Sequence, residues 1–386
     1  MTRFLTFFLF LTMFLLSKAS AQKPIALSWK LEANLPSEDN LHLGLGVAGP
    51  VTGYSNNVLI IAGGANFPDS LPWKGGKKKY YNKVYVFKKL TTQLKSIKAT
   101  IQLPFNIAYP ANCSTVKGIV YAGGENESGI SSKVFLLNWN ESKGQLDISN
   151  LPDLPEAITN ASSDCIANII YVVGGETRLG VSRKLYSLDL NNVEKGWQTL
   201  HDLPEPVSHT VLVALNKAGK NMLYLAGGRC KQANGVSDIY DQLFIYDVSN
   251  NSWTKGKSLP YAICAGTGTA VAGKGIIVFG GDRGEVFHKV EMLNAALQKA
   301  LSEEEKKRII EEKNKLLSTH PGFSKEVLFY NFSKDEWSRI GSIPFKTPVT
   351  TTAVAGKDIV FIPSGEIRAG VRTPAILSVK LSIKRK

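Results

Sequence analysis

Ile169-Ile-Tyr-Val-Val-Gly-Gly175 decides the fold of this 386-residue chain, because the same design returns five more times. An apolar, β-rich run ends in a small-residue pair at Gly63-Gly64, Gly123-Gly124, Gly174-Gly175, Gly227-Gly228 and Gly280-Gly281, and in degenerate form at Ser364-Gly365. Glycine after a strand permits the tight backbone and positive φ of a turn. The pairs are spaced by 60, 51, 53, 53 and 84 residues. A period of roughly 50 residues marks a ring of repeated sheets.

Working outward from each pair, a further strand follows at Val84-Tyr-Val-Phe, Val134-Phe-Leu-Leu, Leu185-Tyr-Ser-Leu, Leu243-Phe-Ile-Tyr, Val327-Leu-Phe-Tyr and Ile376-Leu-Ser-Val. Another opens with Trp and closes with an apolar-Pro pair: Trp197 leads to Leu203-Pro204, Trp253 to Leu259-Pro260, and Trp337 to Ile343-Pro344. Leu103-Pro104 and Leu154-Pro155 keep the ending without the Trp. Proline stops an outer strand because it cannot donate to a ladder. The last repeat has no Trp strand before Lys386, and the missing piece stands at the other end as Ser28-Trp29 through Leu35-Pro36. The expected fold is therefore all-β, a six-bladed kelch-type β-propeller over residues 22–386, closed by an N-terminal strand in its last blade. A linear row of sheets would leave open edges.

One interval is longer than the others by about 30 residues. Residues 285–323 are expected to form a mostly helical insertion in blade five. Glu291 to Leu301 shows helical spacing of apolar residues, and Ser302-Glu-Glu-Glu305 is a capping box for a second helix running to about Leu317. A lid over the ring, a solvated brace and a dimer contact are all open to such an element.

The first residues read as a leader. Arg3 precedes an apolar run from Phe4 to Leu16, and Ala19-Ser20-Ala21 offers a cleavage site. That run is shorter than the ~20 residues of a spanning helix, so residues 1–21 are expected to be removed from an exported, periplasmic or secreted protein with no membrane span. The chain carries a net charge of +14, or about +12 once Arg3 and Lys18 are lost with the leader. Such a surface attracts anions, yet no basic recognition helix or aromatic platform points to nucleic acid. Cys113, Cys165, Cys230 and Cys264 are too few for a disulfide scaffold. Cys113 and Cys165, at matching places in neighbouring repeats, read as small buried thiols, with a link between them as the alternative.

In this strand order the turns after the glycine pairs share one face of the ring with the turns after Leu-Pro, and converging loops on a rigid scaffold form a natural site. Just past the pairs stand Ala65, Glu125, Glu176, Arg229, Asp282 and Glu366, followed by Arg178, Arg283, Arg368 and Arg372. Guanidinium groups bind a carboxylate through paired hydrogen bonds, and carboxylates serve as acid or base. An acidic, hydroxyl-rich small molecule suits that mixture. Taken singly, the rim charges outside blade six also read as surface salt bridges of little energetic weight.

Blade six departs from the repeat. Its Gly365-Glu366-x-x-x-Gly370-x-Arg372-Thr373 resembles the pattern of the bacterial N-acetylneuraminate mutarotases, or sialic-acid epimerases, which are exported kelch propellers. The helical insertion one blade earlier resembles that family too, as does Ala62-Gly-Gly-Ala-Asn66-Phe67 with its Gly/Lys/Tyr-rich loop. The likeness spans the mature chain, with the blade order circularly permuted relative to the best-known members. It implies an isomerase needing no cofactor or metal, which interconverts the α and β anomers of N-acetylneuraminate. Glu366 matches the family's essential carboxylate and Arg372 its essential arginine. Asn66, Glu176, Arg178, Arg283 and Arg368 complete the candidate substrate-binding set; Arg368 matches no family pattern and also reads as a rim charge.

Two other classes compete. A non-catalytic propeller would bind glycans or protein partners through the same face. Other carbohydrate enzymes on propellers fit less well: no sialidase Asp box is present, and the five histidines lack copper-ligand spacing. His209, on an expected inner strand, reads as a packed histidine rather than a ligand.

Overall fold

The computed structural model describes residues 25–37, 44–90, 93–356 and 359–383; the expected leader, residues 1–21, lies outside them. Six antiparallel four-stranded sheets form the blades of a β-propeller. Blade four shows the plan, with Val211–Lys217, Lys220–Ala226, Leu243–Asp247 and Ser252–Lys255 adjacent in chain order. The second strands lie deepest: Val58–Ala62, Gly118–Ala122 and Gly275–Phe279 are buried at every residue. A blade has a neighbour against each face, so these strands read as continuous apolar runs rather than alternating ones.

The core accordingly lies between blades. Tyr224 and Val213 of blade four share one apolar cluster with Ile276, Val278 and Tyr330 of blade five. The outer-strand tryptophans of blades three, four and five fasten each of these blades to the one before it. Trp197 Nε1 donates to the Pro152 carbonyl at 2.8 Å, Trp253 Nε1 to His201 at 3.1 Å, and Trp337 Nε1 to Lys257 at 2.8 Å. Each recipient follows the outer strand of the preceding blade, which explains why Trp sits at that position.

Closure follows the expected route. Ile25–Asn34 pairs antiparallel with Ala375–Ile383, placing Trp29 opposite Val379. It completes blade six outside Val354–Ala355, Ile359–Pro363 and Ala375–Ile383. Trp29 packs edge-on against Phe279 of blade five, with ring centroids 5.8 Å apart.

A second closure runs round the axis. Gly49, Tyr109, Asn160, His209, Ala265 and Thr350 occupy one equivalent position per blade, all with φ between 50° and 60°. The Tyr109 N–H donates to the Gly49 carbonyl, Asn160 to Tyr109, His209 to Asn160, Ala265 to His209, Thr350 to Ala265, and Gly49 back to Thr350, at 2.7–3.1 Å. Beside it, Ala48, Ala108, Thr159, Ser208, Cys264 and Val349 bridge to Ala65, Glu125, Glu176, Arg229, Asp282 and Glu366. The segments after the glycine pairs therefore meet at the same end of the ring, the mouth.

Five of those segments are two-stranded hairpins. In blade five the helices α1 (Glu285–Lys299) and α2 (Glu303–Ser318) stand in place of a hairpin. Helix α1 starts six residues earlier than the spacing predicted, because Gly284, at φ 82°, turns the chain directly into it. Ser302 caps α2 by accepting the Glu305 N–H, while Glu305 accepts the Leu301 N–H. Among the described residues no helix is long and apolar enough to cross a membrane. All four cysteines are free.

Trp29→Ala removes the ring contact that ties the closing strand to blade five. Truncating a large core aromatic costs about 3–5 kcal/mol, and the partial exposure of Trp29 places the expected loss near or below the lower end. Urea unfolding at constant m-value should show a lower midpoint; an unchanged midpoint would mean the strand does not close the ring in solution.

Candidate active site at the propeller mouth

The blade-six hairpin brings a carboxylate and a guanidinium to one rung. Glu366 and Arg372 are direct cross-strand partners in the hairpin of Glu366–Arg368 and Val371–Arg372, so their sequence spacing is hairpin geometry. Glu366 Oε1 accepts the Gly370 N–H at 2.8 Å and lies 3.6 Å from Arg372 Nη1. Gly370 is turned at φ 70°, and a Cβ there would sit 2.8 Å from Pro72 and 3.1 Å from Trp73. The long first-blade loop thus packs on this turn and fixes where the Glu366 carboxylate is held.

Ser364 explains how the degenerate repeat survives. At the equivalent glycines of blades one to four, a Cβ would approach a carbonyl of the next blade to within 2.1–2.5 Å. At blade six the Ser364 hydroxyl instead accepts the Val47 N–H at 2.8 Å and contacts the Val47 and Thr373 carbonyls at 2.9 and 2.8 Å. The side chain adds these bonds to the backbone contact of the regular blades, which is kept as Gly365 N–H to the Val47 carbonyl at 2.8 Å.

Arg372 is the exceptional group. Its side chain is only 5 % exposed, yet Nε and Nη1 have no hydrogen-bond partner among the described residues. Its guanidinium lies over the Phe67 ring, 4.8 Å from the centroid. Burial raises the pKa of the Tyr109 phenol beside it, while the Arg372 and Lys78 cations oppose the shift. Lys78 lies over the Tyr109 ring and 3.2 Å from Glu125 Oε1. An unsatisfied buried neutral group costs about 1–3 kcal/mol and a charged one more, so this guanidinium is set up for an anion.

A second cluster forms the opposite wall. Glu176 Oε1 accepts from Arg229 Nη2 and Ser208 Oγ, each at 3.1 Å, and Oε2 accepts from Asn160 Nδ2 at 3.2 Å. Arg229 also donates from Nε to His209 Nδ1 at 3.3 Å and stacks 4.7 Å over Phe287 of α1. Burial, then the Arg229 charge, holds the His209 imidazole well below its ordinary pKa. Glu291 of α1, itself buried, accepts from the Ser237 N–H and hydroxyl at 2.7 and 2.9 Å and lies 3.9 Å from Arg229. These bonds anchor the insertion to the blade-four hairpin.

Between the hairpin and the insertion lies a cavity of about 240 Å³, lined by Glu366, His209, Arg229, Phe287, Leu317 and His320 among others. Burial depresses the His320 pKa, opposed by the Asp282 and Glu366 carboxylates, and burial raises that of Asp282. The cavity therefore joins a hydrogen-bonded carboxylate to an apolar ceiling, and the Arg372 guanidinium stands beside that carboxylate but outside the lining. Among the described residues, no group of three or more His, Cys, Asp or Glu is placed to hold a metal ion.

A family model described as N-acetylneuraminate epimerase matches residues 151–386. The chain belongs to the N-acetylneuraminate epimerase family. Proteins named N-acetylneuraminate epimerase resemble it from Brucella melitensis (28 % identical over 233 residues, 60 % of this chain and 58 % of that protein) and Salmonella typhimurium (26 % over 231 residues, 59 % and 58 %). One from Yersinia enterocolitica is 28 % identical over 234 residues, 58 % of this chain and 56 % of its own. The chain thus matches less than two thirds of the length of these relatives. The matched region contains the whole Glu366–Arg372 hairpin.

In this epimerase-family protein the other expected site residues scatter. Glu176 lies at the mouth but is engaged by Arg229, Ser208 and Asn160. Asn66 is buried, donating to the Gly46 carbonyl at 2.8 Å and accepting from the Tyr81 hydroxyl at 2.7 Å. Arg368 reaches the Ser318 carbonyl at the end of α2 at 3.4 Å. Arg283 stacks on Tyr261 and pairs with Glu326 at 3.1 Å, while Arg178 is exposed at a hairpin tip. The reading of the sequence passed over Tyr109 and Phe287, and named Phe67 and Arg229 without placing them in the candidate site. Arg229 had a signal in its place directly after a glycine pair, and Phe67 in the first-blade motif.

Proposed function

We propose that this protein interconverts the α and β anomers of N-acetylneuraminate at the propeller mouth, with Glu366 as acid and base and Arg372 as carboxylate clamp. The buried, unsatisfied guanidinium of Arg372 beside Glu366 carries this reading. The names of the family and its relatives support the substrate class. In this sugar the carboxylate is bonded to the anomeric carbon, so a clamp on the one positions the other. Glu366 removes the proton of the anomeric hydroxyl. The bond from the anomeric carbon to the ring oxygen breaks, leaving an open keto form, and the ring oxygen gains a proton. Rotation and closure on the other carbonyl face reverse these transfers and give the second anomer, with no net gain or loss of atoms. A positioned acid or base contributes ~10²–10⁴-fold, and the clamp adds orientation.

The family match begins at residue 151, at the boundary of blades two and three. That supports a ring opened at a different blade from its relatives, since an exposed turn tolerates relocated termini. The leader-like residues 1–21 support action in the periplasm or outside the cell. In that case the protein recovered from producing cells should begin at Gln22 by N-terminal sequencing, and a mature chain starting at Met1 would refute export by cleavage.

Proton NMR of freshly released α-N-acetylneuraminate should show faster α-to-β conversion with the protein. Tight binding without acceleration would instead identify a glycan-binding propeller. Glu366→Gln should fold normally and lose ~10²–10⁴-fold of the acceleration; full activity would sink Glu366 as the base. Arg372→Lys should raise KM and lower kcat, because a point charge cannot reproduce a two-pronged fork. Near-wild-type turnover from that variant would exclude the clamp.

A further inference from the structure

Ring opening leaves charge on an oxygen that Glu366, occupied with the anomeric proton, does not at that moment cover. We propose that His209 is a further catalytic residue of this site, its Nε2–H hydrogen-bonding the ring oxygen of the sugar as the ring bond breaks. The inference rests on the anomer-exchange reading above.

Three observations carry it. The first is the tautomer. Arg229 Nε can only donate, and it lies 3.3 Å from His209 Nδ1. Ser208 Oγ, 3.1 Å from the same nitrogen, donates its proton to Glu176. Nδ1 therefore accepts, and the imidazole proton resides on Nε2. The second is the place. His209 belongs to the axial ring of backbone bonds and lines the cavity that contains Glu366. Among the described residues no partner occupies Nε2. The third is the charge. The groups around the imidazole are Arg229, Glu176 and Ser208, with Asp282, His320 and Glu366 across the cavity. Burial and the adjacent guanidinium keep the ring neutral.

A neutral imidazole fixed in this way is a poor proton source and an oriented hydrogen-bond donor. It gives up no proton. Glu366 takes the anomeric hydroxyl proton, the ring carbon–oxygen bond breaks, and the Nε2–H stabilises the negative ring oxygen until the proton held by Glu366 reaches it. Donors fixed on a developing oxyanion contribute about 10²–10³-fold in kcat. The Arg229–Glu176 pair then acts as a positioning device that holds the tautomer.

His209→Asn is the variant of choice, because Asn160 already holds the equivalent ring position at φ 56°. Its kcat for anomer exchange should fall about 10²-fold with KM little changed, and the pH profile of the wild type should show no histidine limb. An unchanged kcat overturns the proposal. Independently of any variant, ¹⁵N NMR of the histidine-labelled protein should show the Nε2–H tautomer at neutral pH, with the Nε2 resonance moving on addition of N-acetylneuraminate. An Nδ1–H tautomer, an imidazolium or an unmoved resonance overturns it equally. A wild type that fails to accelerate exchange refutes the anomer-exchange reading, and the resonance response to the sugar then decides the His209 contact alone.

Discussion

The molecule depends on a closed circle of six backbone hydrogen bonds around the propeller axis. Each blade contributes one residue whose N–H donates to the preceding blade and whose carbonyl accepts from the next, and Gly49 to Thr350 joins the first blade to the last. The geometry demands left-handed backbone at all six positions, five of which are not glycine. That conformation costs roughly 1–2 kcal/mol per non-glycine residue, and Thr350, being β-branched, is the least suited. Strain concentrated at one level persists only where the surroundings over-determine it. Here the apolar clusters between neighbouring blades, packed independently of the axis, hold each blade in place.

The circle also sets the mouth. In every blade the residue before the ring position bridges to the residue after the glycine pair, so each hairpin starts at a fixed radius. Side chains at these starts face one another across the axis without any loop having to reach inward. Glu366 and Arg229 are such starts, and His209 is a member of the ring itself. A site built on doubly hydrogen-bonded backbone suits the proposed reaction, whose transition state needs charges held in place rather than rearranged.

Much of this was legible in the sequence because it repeats. The glycine pairs, outer-strand tryptophans and apolar-Pro stops each recur, and the orphan Trp29 strand had one place left to go. The Glu366–Arg372 hairpin was visible as a departure from the same pattern. The ring was not legible, because its six positions read Gly, Tyr, Asn, His, Ala and Thr, sharing a conformation and no chemistry. The Glu176–Arg229–His209 cluster was hidden for a related reason: it joins blades three and four to α1, and no local spacing records that. His209 was read as a packed histidine, and it is largely buried; what the sequence could not supply was Arg229 against one nitrogen and a cavity beside the residue.

Two arginines of the mouth are treated in opposite ways, and that difference orders the site. Arg229 is engaged by hydrogen bonds to Glu176 and His209, with Glu291 3.9 Å away and Phe287 beneath, so it behaves as structure. Arg372 is more deeply buried, but its one carboxylate neighbour stands at 3.6 Å and is itself held by Gly370. A partner brought close enough to saturate Arg372 would neutralise it and bind the Glu366 oxygens as well, leaving neither an anion site nor a free base. Holding the carboxylate back with a backbone N–H keeps both groups available for the proposed roles of clamp and base on one rung of a two-stranded hairpin. Ser364 fits where the regular blades carry glycine because its hydroxyl bonds the Val47 N–H and carbonyl, while the Gly365 N–H keeps the backbone bond to Val47 that the regular blades make.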